Sequence, residues 1–137
     1  MPVVEISEIE ARCREGLSAH GAPEAVAAVM AEATAFAEAR DNRVCGLSYH
    51  ESYCMQLRSG RVDGNAVPVV THPREATVHV DARYGFAHMA FLAGAEAALT
   101  AMARFGVATL GIGHAHTCTA LGWFTEGLAR RGAIALG

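Results

Sequence analysis

The sequence has little of what marks several large functional classes. Charged residues make up 18% of its 137 positions, and 14 acidic residues outnumber 11 basic ones for a formal charge of -3. A nucleic-acid binder gathers cations to neutralise phosphates, whereas the arginines here never form a run. No apolar stretch approaches the roughly 20 residues of a membrane-spanning helix. The N-terminus "MPVVEISEIEARC" carries acids where a signal peptide carries bases, so the expected location is the cytoplasm. The four cysteines, Cys13, Cys45, Cys54 and Cys118, include no CxxC pair, which excludes a secreted disulfide framework and predicts free thiols. The glycines of "LGIG" do not make a GxGxxG turn between strand and helix with an acid further on, so a Rossmann dinucleotide fingerprint is absent. There is no internal repeat, linker or low-complexity tract.

What is abundant is apolar residues, 52% of the chain, with a mean hydropathy of +0.21. That is rich for a soluble monomer and predicts apolar surface left for a partner, either a second copy or a missing piece. The length suits a single α/β domain with one core.

Hydrophobic periodicity organises the chain. Ile6, Ile9, Cys13 and Leu17 recur at helical spacing over residues 3–18, until "HGAP" breaks the run. Pro23 opens a second helix that lines up Val26, Val29, Met30, Ala33, Phe36 and Ala37. A third helix is expected over about 49–59, with Ser48 and Glu51 as a capping box, Gly60 as its stop, and Tyr49, Tyr53 and Leu57 facing inward. "AVPVV" reads as extended and "ATVHVDA" as a strand. An alanine-rich helix follows from Phe86 to Arg104, ended by Gly106. "VATLGI" is strand-like, "TALGWFTEGLARRG" is helical, and "AIAL" opens a strand from residue 133. A strand opening there needs neighbours from later sequence, so the chain reads as the front portion of a larger, truncated or processed protein.

Chemistry-bearing residues concentrate in "GIGHAHTCTALG" at residues 111–122. His114, His116 and Cys118 would share one face if the segment stayed extended, as zinc ligands do. The coming helix splits that set at Cys118, so no metal is expected. Tyr49 and Tyr53, four apart on a helix, are either a packed aromatic pair or a substrate clamp. Asp81 reads as a turn-positioning residue, His79 and His88 as an ordinary strand residue and an ordinary helix-start residue, and His20 and His72 as loop residues.

From about residue 38 onward the chain resembles the malate/L-lactate dehydrogenase family of NAD(P)-dependent 2-oxoacid and cyclic imine reductases. The matching landmarks are "CG" at 45–46, Tyr53, "LRSGR" at 57–61, "VDARYGFAH" at 80–88, "FGVATLGI" at 105–112, "CTALGW" at 118–123 and "GAIALG" at 132–137. The resemblance implies a homodimer and an α/β layer in which N-terminal helices flank a mixed sheet that later sequence completes. It also implies NAD(P), bound mainly by residues outside this chain, and an active site in which the turn at Cys45 and the loop around His116 line one pocket.

The same resemblance exposes departures. The family's Ser-His-Gly element, whose histidine handles the proton, reads "VCG" here, with Val44 in the serine slot and Cys45 in the histidine slot. Tyr49 stands where an arginine holds the substrate carboxylate. In the later loop Thr117 fills the usual histidine slot and His116 comes one place early. A thiol is a poorer proton donor near neutral pH than imidazole but a better nucleophile. A tyrosine lacks the guanidinium fork. The expected catalytic residues are therefore Cys45, His116 and His50, with Tyr49, Tyr53, Thr117 and His114 contacting a small-molecule substrate. The bland alternative for Cys45 is a small core thiol. Three activities compete: hydride transfer between NAD(P)H and a 2-oxoacid or cyclic imine; an autoprocessed hydrolase or lyase using Cys45 or a new N-terminus after Gly137; and a non-catalytic scaffold subunit.

Overall fold

The computed structural model describes residues 3–137. Five helices and three strands follow in the order α1 (Ile6–Ala19), α2 (Glu24–Glu38), α3 (Leu47–Arg58), β1 (Val69–Arg74), β2 (Thr77–Asp81), α4 (Ala87–Phe105), β3 (Thr109–Gly113) and α5 (Leu121–Ala129), with a short 3-10 turn at Arg43–Cys45. The chain divides into two compact units, one ending at Asn65 and one beginning at Ala66.

The first unit is helical. α1 buries Cys13 and Leu17 from its expected stripe, and α2 buries a wider face that includes Val26, Met30, Ala33 and Ala37. Thr34 sits in that interior because its hydroxyl donates to the Met30 carbonyl at 2.8 Å, leaving no unsatisfied donor. The expected capping box on α3 does not form. The helix starts at Leu47, before Ser48, with Gly46 at the N-cap. Its first amide is met from α2, where the Glu38 carboxylate accepts the Leu47 N–H at 2.7 Å. An acid from another helix thus replaces the local cap and puts negative charge at the helix's positive end. A side chain at position 46 would collide with that same carboxylate. Gly60, at φ +72, ends the helix as expected.

The second unit is a three-stranded sheet in the order β1-β2-β3. β1 and β2 form an antiparallel hairpin, and β2 pairs with β3 in parallel through the α4 crossover, from Thr77↔Thr109 to Asp81↔Gly113. β1 runs past the expected "AVPVV" to Arg74 and includes Pro73. The proline is tolerated because β1 is an edge strand whose register shifts between Thr71 and Arg74. Val78 and Val80 point from β2 into a core completed by Ala82, Ala90 and Ala98. α4 lies close on the sheet at Gly94, where a Cβ would come within 2.5 Å of Val80 and 2.8 Å of Leu110. Gly106, at φ +79, ends α4. Residues 133–137 are not a strand, contrary to expectation, and Ile134 and Leu136 are almost fully exposed. No strand of the described residues pairs with them, and an extended segment with no ladder partner gains nothing from the β conformation.

Candidate active site

The parallel strands β2 and β3 end side by side at Asp81 and Gly113, and the loops that follow them, residues 82–86 and 114–120, run on together. The pairing continues past the strands. Ala82 N–H donates to Gly113 O at 2.9 Å, Tyr84 N–H to His114 O at 2.7 Å, His116 N–H to Gly85 O at 2.9 Å, and Ala87 N–H to His116 O at 3.3 Å. Ligands of open α/β sheets bind outside the carboxyl ends of parallel strands, which is this edge.

Backbone strain gathers in the same two loops. Arg83 (φ 51), Tyr84 (φ 63), His114 (φ 48), Thr117 (φ 34) and Thr119 (φ 47) all occupy the left-handed region without being glycine. Each such residue costs on the order of 1 kcal/mol or more, and such strain clusters where a site needs side chains aimed.

Asp81 explains part of this geometry. Its Oδ1 accepts the Arg83 N–H at 2.8 Å, fixing the turn as expected, and also lies 3.1 Å from Nδ1 of His114. The Arg83 amide, then His114, hold the Asp81 carboxyl below its ordinary range. The His114 ring is exposed and lies 5.5 Å from the Tyr84 ring, centroid to centroid. His116 is half-buried, its ring 6.1 Å from that of Phe86. The Thr117 hydroxyl accepts the Thr119 N–H at 3.4 Å. Cys118 is exposed in the loop, since α5 begins only at Leu121 rather than at Cys118.

Beneath these loops His88 is fully buried and not the ordinary helix-start residue expected. Its Nε2 lies 2.9 Å from the Thr119 hydroxyl, and its ring packs 5.0 Å from Trp123 and 4.8 Å from Phe124. Burial drives its pKa down to about 4, so the ring is neutral at physiological pH. One signal in the sequence pointed this way: a histidine flanked by "FA" and "MAFLA" lies within an apolar helical run.

The other candidates belong to the first unit. Cys45 ends the 3-10 turn, half-buried. Tyr49 is 38% exposed while Tyr53 is 1% exposed, and their rings meet edge-on at 5.0 Å. The two rings pack together, with Tyr49 on the outer side. The half-buried His50 ring has Nε2 3.7 Å from the Cys54 sulfur and close to Gly16, where a Cβ would lie 2.9 Å from it. Burial, then the neighbouring His20, pushes the His50 pKa down. Burial also pushes the Cys54 thiol up and the Cys13 thiol up to about 11. All four cysteines are free.

No group of three His, Cys, Asp or Glu side chains among the described residues is placed to hold a metal, and no helix among them is long and apolar enough to cross a membrane. The "LGIG" glycines, Gly111 and Gly113, both lie in β3 rather than in a phosphate-binding turn. A dinucleotide cradle of the Rossmann kind is thus not built from the residues described.

A family model described as malate/L-lactate dehydrogenase matches residues 4–137. The chain is 37% identical over 134 residues to a Delta(1)-pyrroline-2-carboxylate/Delta(1)-piperideine-2-carboxylate reductase of Pseudomonas putida, covering 97% of this chain and 39% of the relative. It is 33% identical over 134 residues to a (2R)-3-sulfolactate dehydrogenase (NADP(+)) of Chromohalobacter salexigens, covering 98% and 40%. The crystal structure of delta1-piperideine-2-carboxylate reductase from Pseudomonas syringae pvar. tomato superposes with a TM-score of 0.87 at 35% identity over 96% of this chain and 40% of that one. The chain thus spans about two-fifths of the length of these relatives.

Proposed function

Because the chain belongs to the malate/L-lactate dehydrogenase family, we propose that it serves as the N-terminal part of an NAD(P)H-dependent reductase acting on a small cyclic imine carboxylate or 2-oxoacid. The observation that carries this reading is the 37% identity over nearly the whole chain to a pyrroline-2-carboxylate/piperideine-2-carboxylate reductase. The relatives named are reductases and dehydrogenases, which favours hydride transfer over the hydrolase and scaffold readings. The homodimer of the family belongs to the same proposal.

When bound, the nicotinamide supplies the hydride. The same proposal puts the dinucleotide mainly on residues outside this chain, which leaves this chain a contribution to the substrate. The ends of β2 and β3 present polar groups on a strained, pre-shaped backbone, which is the kind of positioning that lowers the entropy cost of reaction. Tyr49, in the family's arginine slot, offers one hydroxyl to a carboxylate in place of a bidentate fork, so substrate binding is weaker than an arginine would give. Cys45, in the histidine slot, leaves the proton half of the reduction to be supplied by another group.

The test is direct. The full-length protein is mixed with NADPH or NADH and with Δ1-piperideine-2-carboxylate, Δ1-pyrroline-2-carboxylate or pyruvate, and cofactor absorbance is followed. Oxidation above the substrate-free rate supports the proposal. Absence of turnover together with absence of cofactor binding by calorimetry defeats it.

A further inference from the structure

We infer that His114, oriented by Asp81, is the residue that delivers the proton to the substrate. This assignment rests on the reductase reading and deepens it. It starts from a gap: the family's histidine slot holds Cys45, and a thiol is a poor acid for a neutral-pH reduction. His50 packs against Cys54 and Gly16 inside the first unit, and His88 is fully buried against Thr119, Trp123 and Phe124. His114 combines an exposed ring with a fixed orientation.

The fixing is specific. Asp81 Oδ1, itself held by the Arg83 amide at 2.8 Å, stands 3.1 Å from Nδ1 of His114. A carboxylate on Nδ1 places a proton there, sets the tautomer, and leaves Nε2 pointing away as the working nitrogen. Such a partner also fixes the plane in which the ring lies. The backbone supports the same aim. His114 is held at φ 48 and Tyr84 at φ 63, with the Tyr84 N–H bonded to the His114 carbonyl at 2.7 Å and the two rings 5.5 Å apart. Strain of this kind persists only where surrounding structure enforces it. The groups facing the ring are Asp81 on β2, with Arg83 beside that carboxylate, and Tyr84 in the loop after it.

The balance of the step is simple. Reduction of a C=N bond forms a C–H bond with hydride from the nicotinamide, which is oxidised, while the π pair moves to nitrogen. That nitrogen takes the proton from His114 Nε2, and the neutral ring is reprotonated from solvent, to which it is open. For a 2-oxoacid the same proton goes to the carbonyl oxygen. Asp81 is a positioning residue and is not consumed.

The experiment uses the full-length protein with NADPH and Δ1-piperideine-2-carboxylate. His114→Gln is expected to lower kcat by about 100-fold or more, the scale of a lost general acid, while the KM for NADPH stays within about threefold. Added imidazole restores part of the rate. Asp81→Asn keeps an oxygen for the Arg83 amide but removes the charge, and kcat falls by about tenfold or more without loss of fold by circular dichroism. His72→Gln, on the edge strand, keeps the parent rate. A readout independent of turnover is carbethoxylation of His114 by diethyl pyrocarbonate, mapped by mass spectrometry, which Δ1-piperideine-2-carboxylate alone should suppress. If His114→Gln keeps a third or more of the parent kcat, or the substrate leaves its modification unchanged, the assignment is overturned while the reductase reading stands. A parent protein that oxidises no NADPH with this imine or with pyruvate overturns both.

Discussion

The two units treat their reactive side chains in opposite ways. The first hides them: Cys13, Cys54 and His50 are drawn among helices where burial pushes the thiols up and the imidazole down, away from the charged forms that do chemistry. The second sets Asp81 and His114 at the rim of two parallel strands, on strained backbone, and hides only His88 beneath them. A cysteine or histidine count therefore says little about a site. Where the backbone leaves each group, and in which charge state, separates packing from function.

The sharpest way to test that contrast is thiol chemistry. Cys118, exposed in the loop before α5, should react with iodoacetamide at pH 8 more than about 100-fold faster than Cys13, because the thiolate is the nucleophile and Cys13 is both buried and held at about 11. Comparable labelling of the two, read by peptide mass spectrometry in native protein, would show that the first unit's interior is open and would break the comparison.

Packing gives the next two effects, of opposite design. The first unit buries Leu17 and Met30 completely, so truncation is what hurts there. Leu17→Ala removes a side chain with no exposed surface and should cost about 3 kcal/mol of unfolding free energy in a urea titration. In the second unit α4 meets the sheet through a missing side chain, so enlargement is what hurts. Gly94→Val would drive methyl groups into Val80 and Leu110 and should cost about 2 kcal/mol, although valine is no worse than glycine in helix propensity. A Gly94→Val protein as stable as its parent would show that α4 stands further from β2 and β3 than the geometry says.

These features differ in how far the sequence announced them. The helices at Ile6–Ala19, Glu24–Glu38 and Ala87–Phe105 were readable because apolar spacing is local, and Gly60 and Gly106 were readable stops because only a left-handed residue fits there. The start of α3 was misread because its cap, Glu38, comes from nine residues away on another helix. Pro73 concealed the second half of β1, whose place at the sheet edge is a fact of topology and not of composition. The Asp81–His114 pair joins positions 33 apart, and the His88–Thr119 contact positions 31 apart. Periodicity carries no information at that range. The "HAH" motif and the resemblance drew attention to this loop, but which histidine stays outside and which partner it finds is decided by how the two loops zip together.

His88 offers the smallest effect and a test of the hidden half of the contrast. Its folded pKa, about 4, lies below the ordinary 6.5 of an unfolded chain. The unfolded state therefore binds more protons between those values, and stability must fall as pH drops through that window. Above about pH 7 both states are neutral at this site and it contributes no slope. At pH 5 the difference amounts to about 2 kcal/mol, from the standard relation between a pKa shift and free energy. Replacing the ring by one that cannot titrate, His88→Phe, should flatten that part of the pH–stability curve while costing something at every pH, because the Thr119 hydroxyl loses its partner. Asp81, whose pKa is also lowered, acts in the same direction but at more acidic pH, since its contribution is lost only as the pH falls through its own depressed value. His88→Phe and parent curves that run parallel from pH 7 to pH 4 would mean that the ring is not held neutral in the folded protein, and the loop carrying His114 would then rest on a less rigid floor than the structure gives it.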